Sequence, residues 1–159
     1  MNLKSIITIF LLLISISSSY GQSHKNELKI NAFYAGLTII DLQYERITLS
    51  KFSYGANFDI NLRWKEFLTS FVVFGRAYTL EEAEGWFFEI HHAIHLDGTC
   101  IENQIINYIG PAFGYKALYS SNFTFELLAG VGFQYLDIDC RELPNVYFPR
   151  FGILIGKRF

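Results

Sequence analysis

From Phe123 to Tyr135 every second residue is apolar or aromatic: Phe123, Phe125, Leu127, Ala129, Val131, Phe133 and Tyr135. Between them lie Thr124, Glu126, Leu128, Gly130, Gly132 and Gln134, which are small, polar or charged apart from one leucine. Side chains alternate faces along a strand, so the run predicts one long strand with an apolar face and a mixed face. It is more than twice the usual strand length of ~5–6 residues. A tilted strand crosses a bilayer in about 9–11 residues. The apolar face is therefore expected to meet lipid, and the mixed face the interior of a barrel.

The same alternation recurs along the chain. Glu27–Ala35 sets Leu28, Ile30, Ala32 and Tyr34 outward against Lys29, Asn31 and Phe33. Ile40–Thr48 sets Ile40, Leu42 and Tyr44 against Asp41, Gln43 and Glu45, and Ser53–Asn61 sets Tyr54, Ala56, Phe58 and Ile60 against Ser53, Gly55, Asn57, Asp59 and Asn61. Leu68–Tyr78, Trp86–Leu96, Ile105–Tyr119 and Tyr147–Phe159 complete the set. Eight strands make an even number, the smallest for a single-chain bacterial outer-membrane barrel. Leu49–Phe52, Leu80–Gly85 and Ser120–Asn122 become short periplasmic turns. Gly36–Ile39, Leu62–Phe67, Asp97–Gln104 and Asp137–Val146 become exterior loops.

Composition sharpens this reading. Of the 159 residues, 51% are hydrophobic, 18% aromatic and only 18% charged. Ordinary soluble domains carry about 25% charged residues. After the first segment no apolar run approaches the roughly 20 residues of a membrane helix. The net charge of −2 gives no reason to expect nucleic-acid binding. Met1–Gly21 reads as a cleaved secretory signal peptide, with Lys4 before an apolar core at Ile6–Ile16 and small Ser19 and Gly21 before a cut at Gln22. Residues 22–159 then form the barrel domain.

Turn arithmetic tests the register. A hairpin centred on Ser121 sets Lys116 opposite Glu126, and one centred between Glu82 and Ala83 sets Arg76 opposite Glu89. Alternation points all four inward, and directly opposed strand residues have close Cβ atoms, so two ion pairs are expected inside the barrel. The inward charges Lys29, Arg76, Lys116, Arg150 and Arg158 balance Asp41, Glu45, Asp59, Glu89 and Glu126. An eight-stranded barrel is just wide enough for side chains to fill it. Buried charges persist only when paired, so a packed ionic lumen is expected in place of a pore.

The last strand sets Phe151, Ile153, Ile155 and Phe159 outward against Arg150, Gly152, Leu154, Gly156 and Arg158. This resembles the carboxy-terminal insertion signal of bacterial outer-membrane barrels, with Lys157 departing from it where that signal is usually apolar. Leu42-Gln43-Tyr44-Glu45-Arg46, Ile109-Gly110-Pro111-Ala112-Phe113-Gly114, Leu128-Ala129-Gly130-Val131-Gly132-Phe133 and Gly156-Lys157-Arg158-Phe159 carry a wider likeness. The chain resembles small outer-membrane β-barrel proteins of the Bacteroidetes type, a family mostly of undefined function. The resemblance implies an outer-membrane location. It also implies contact with outer-membrane lipid and lipopolysaccharide, and with the barrel-insertion machinery during biogenesis.

Candidate chemistry is sparse. His91 and His95 face inward near Glu89, but residues four apart on a strand are about 13 Å apart, too far for one metal with ligands near 2 Å. No metal or cofactor is expected. His92 faces the lipid side, where polar groups are expensive and often functional. Some eight-stranded barrels are lipid A deacylases with an outward His followed two residues later by Ser; here that position is Ile94, and no nucleophile is near. The bland reading is a neutral His92 bonded to a neighbouring strand or lipid, or turned inward by a bulge. Cys100 and Cys140 fall in the third and fourth exterior loops. Export to an oxidising compartment favours a disulfide between them, worth about 4 kcal/mol by chain entropy; two free thiols are the alternative. The loops carry mixed charge and aromatics, including Arg63, Trp64, Lys65, Glu66, Glu102, Asp137, Asp139, Arg141, Glu142 and Tyr147, with no constellation specific to one ligand. The sequence thus predicts an all-β, eight-stranded antiparallel up-and-down transmembrane barrel without enzymatic activity. Its role would be structural, or adhesive through its exterior loops. A lipid A-modifying enzyme and a secreted lipocalin-like carrier are the alternatives, and a lipocalin should have the inverse pattern, apolar inside and polar outside.

Overall fold

The computed structural model describes residues 25–61, 69–97, 104–138 and 147–159. The predicted signal-peptide segment, Cys100, Cys140 and most of the predicted exterior-loop residues lie outside them. The chain runs β1 (Asn26–Asn31), α1 (Ala32–Gly36), β2 (Ile39–Leu49), β3 (Phe52–Asn61), β4 (Thr69–Leu80), β5 (Glu84–Asp97), β6 (Gln104–Leu118), β7 (Phe123–Ile138) and β8 (Tyr147–Arg158). Each strand pairs antiparallel with the next, and β1 pairs with β8, so the sheet closes as an eight-stranded up-and-down barrel. Closure leaves no sheet edge unpaired. At the seam the Asn26 N–H donates to the Phe159 carbonyl at 3.0 Å, and the Phe159 N–H donates back at 2.8 Å. No helix among the described residues is long and apolar enough to cross a membrane.

Three tight connections form one end of the barrel, called here the turn end. Ser50 and Lys51 link β2 to β3, a single 3-10 turn at Glu81–Ala83 links β4 to β5, and Tyr119–Asn122 links β6 to β7. The left-handed backbone at Glu82 and Ala83 lets the Ala83 N–H reach the Ser50 carbonyl at 2.7 Å, so two neighbouring turns are tied together. The opposite, loop end carries α1 and the strand ends at Asn61, Thr69, Asp97, Gln104, Ile138 and Tyr147.

The first strand is shorter than the alternation predicts. It ends at Asn31, and Ala32–Gly36 is a helical turn packed against β2 and β8. The reason lies in Asn31. Its Nδ2 donates to the Phe151 carbonyl at 3.1 Å and its Oδ1 accepts the Ile153 N–H at 3.2 Å. The side-chain amide thus supplies to β8 the donor and acceptor that further strand residues would have supplied. Relieved of pairing, the alanine-containing segment, with no β-branched residue, coils. Tyr34, predicted outward as a strand residue, instead lines an interior cavity.

Elsewhere the predicted faces agree with the burial. Val72, Phe74, Arg76 and Tyr78 of β4 are buried, while Phe71, Val73, Gly75 and Ala77 are exposed. Trp86 is 66% exposed and Phe113 61%, whereas Glu45, Glu89, Lys116 and Glu126 are wholly buried. The barrel is apolar outside and polar within.

Candidate functional site

The turn half of the lumen holds a continuous ionic network. It begins with Glu27 and Lys29 on β1, which alternation points inward together. Glu27 accepts from Arg158 Nε at 2.8 Å and Lys116 Nζ at 3.1 Å, and lies 2.9 Å from Lys29 Nζ. Glu45 is its hub: it pairs with Lys29, with Arg76 Nη1 at 2.8 Å and with Lys116 at 3.1 Å. It also accepts the Tyr78 hydroxyl at 2.6 Å and the Ser53 hydroxyl. Arg76 donates through Nε to Glu89 at 2.7 Å, and Arg150 Nε reaches the other Glu89 oxygen at 2.5 Å.

Packing holds Arg76 in place. Its guanidinium lies 4.3 Å from the Phe74 ring centre and 4.5 Å from that of Phe87. Cation–π attraction of this kind strengthens when desolvated. Each ring fits because an inward glycine stands behind it: a Cβ on Gly55 would come within 2.4 Å of Phe74, and one on Gly114 within 2.3 Å of Phe87. Lys116 Nζ lies 4.3 Å from the Tyr78 ring centre.

Both predicted hairpin registers are present: Arg76 faces Glu89 and Lys116 faces Glu126. Arg76 and Glu89 form an ion pair. Lys116 does not take its register partner; its amine goes to Glu27 and Glu45, while Glu126 pairs with Lys29 at 2.6 Å and Arg76 at 2.9 Å. In a barrel this narrow, long side chains reach strands on the far wall, so ladder neighbours compete with groups across the lumen. The predicted balance of signs also shifts. Glu27 is buried, and the described interior holds five cations and six carboxylates. Its shared parity with Lys29 was the signal for it.

On the outer face, β6 and β7 slip register between Asn107 and Tyr108, which makes Tyr135 an extra residue in β7. A bulge of this kind re-aims a side chain. The Tyr135 hydroxyl shares a hydrogen bond of 2.8 Å with His92 Nε2, spanning from β7 to β5 over the intervening strand. His91 is buried with Nδ1 3.4 Å from Glu89. Among the described residues, no three His, Cys, Asp or Glu side chains converge in a group that could hold a metal. Of the predicted insertion-signal residues, Phe151 and Ile153 are exposed, and Ile155 and Phe159 half-buried. Comparison with protein-family models, curated proteins and solved structures finds no match to the chain.

Proposed function

We propose that the chain is an outer-membrane β-barrel with a packed ionic lumen that does not conduct. Its role is structural, or interactive through its exterior loops. The observation that carries this reading is the inversion of polarity. Large apolar side chains such as Trp86, Ile90, Phe113 and Phe151 cover the outside, while lysine, arginine and glutamate fill the inside. A soluble globular protein rarely exposes so extensive an apolar surface, and a lipid-facing barrel requires one. The wall-to-wall ion pairs support a filled lumen, because opening it would strip buried charges of their partners. The same polar interior speaks against a carrier of apolar ligands.

Phe151, Ile153, Ile155 and Phe159 fit a role in recognition by the insertion machinery, with outer-membrane lipid and lipopolysaccharide as surrounding partners. An enzymatic reading would rest on His92, but its Nε2 is engaged by Tyr135, and position 94 is isoleucine. The test is gel migration of detergent-folded protein with and without boiling. The unboiled sample should migrate differently from the boiled one, as a closed heat-resistant barrel does. Identical migration, together with solubility in the absence of detergent, would falsify the lipid-facing assignment.

A further inference from the structure

The ionic network stops short of the loop end. There Asp41 and Asp59 face each other across the β2–β3 ladder, both buried. Like charges directly opposed on one face of a sheet repel. None of the ion pairs among the described residues uses either carboxylate. Asp41 accepts one amide proton on each oxygen, from Asn31 Nδ2 at 2.7 Å and Asn57 Nδ2 at 2.8 Å. Asp59 Oδ2 accepts the Ser70 hydroxyl at 2.7 Å.

That arrangement leaves oxygens over. Asn57, held by its nitrogen, has no partner for Oδ1; Asp59 has none for Oδ1. Gln43 is 0% exposed, and neither its Oε1 nor its Nε2 finds a partner in the protein. All three line one cavity together with Asp41. Its volume is about 10 Å³, space for roughly one water-sized particle, which excludes any organic ligand. Arg150 and Tyr34 also line it, and the bonds from Arg150 Nε and Nη2 go to Glu89.

The geometry points to a site for one dehydrated hard cation between Asp41 and Asp59, with the carbonyl oxygens of Asn57 and Gln43 as its neutral ligands. Carboxylates and amide carbonyls are the donors that calcium takes. Sodium is similar in size and shares this preference for oxygen. A cation here relieves the carboxylate repulsion, satisfies the leftover acceptors and offsets the surplus negative charge of the interior. This does not depend on where the barrel resides.

The test uses the full chain folded in detergent, in a choline chloride buffer. Calcium or sodium is titrated in, with protein-free micelles as control, and both heat of binding and unfolding temperature are followed. One ion per chain should bind, with a rise in unfolding temperature; the responding salt identifies the ion. Gln43→Leu keeps every charge and should weaken binding at least tenfold. Asp59→Asn should abolish binding, and in choline buffer it should unfold at a higher temperature than the parent, since the repulsion is gone. The proposal is overturned if the parent binds neither ion, the outcome for a pair sharing a proton or a single water. Unchanged binding in Gln43→Leu overturns it as well, because the ion then sits elsewhere. Should Asp59→Asn fail to fold, Gln43→Leu alone decides.

Discussion

Glu45 shows why single residues matter in so small an interior. Three cations and two hydroxyls converge on one carboxylate that is wholly shielded from water. Breaking a buried ion pair by removing one partner costs about 3–5 kcal/mol, because the remaining charge stays buried without compensation. Glu45→Gln should lose stability of that order, read as an earlier midpoint in urea unfolding followed in detergent. The glycines behind the Arg76 sandwich make a second case. Gly114→Ala drives a methyl into the Phe87 ring and the Leu127 carbonyl, and overpacking of this kind costs about 1–3 kcal/mol. Gly75→Ala places its methyl in open space on the outer face, and its unfolding midpoint should hardly move. Equal effects of the two substitutions would sink the account. Facing direction was legible at this scale because parity along a strand decides it. The partner of Lys116 was not, since a flexible four-carbon stem chooses among every acceptor within reach.

Among the elements, the strands could be read from alternation, and the pairings of β4 with β5 and β6 with β7 from alternation together with turn length. Turn length fixes those registers, and a slip of one residue would turn each charged face outward. The end of β1 was hidden. Ala32, Phe33 and Tyr34 continue the alternating pattern, and only tertiary contact reveals that the Asn31 amide has already satisfied β8. Asn31→Ala removes both bonds and also the Asn31 donor to Asp41. These two backbone bonds are partly buried, so their loss costs less than the about 1–3 kcal/mol of a fully buried unpaired group. Amide exchange at Ile153 should accelerate in that variant, while exchange at Phe88 in β5 stays as in the parent. The bulge at Tyr135 was equally invisible, because Tyr135, Leu136 and Ile138 are all apolar or aromatic and so mask the one-residue change of phase.

For the molecule as a whole, the sequence carries shape in its periodicity and leaves the cross-lumen wiring unstated. Lys29 meets Glu126 from the opposite end of the chain, and Arg76 meets both Glu45 and Glu126. No local pattern encodes such meetings; they follow once eight strands curl around an interior of fixed width. The strands are not equal partners in that closure. Backbone pairing of β1 with β8 runs only from Asn26 to Asn31, whereas β5 and β6 pair from Gly85 to Asp97. Local opening free energy falls where paired backbone is scarce, so amides of β1 should exchange faster in hydrogen-exchange mass spectrometry than those of β5. Uniform protection around the wall would contradict this. Glu27 and Lys29 stand on that short strand, and their ion pairs reach β2, β6, β7 and β8. The barrel is thus fastened like a hasp: little backbone holds the joint, and two charged side chains bolt it from within.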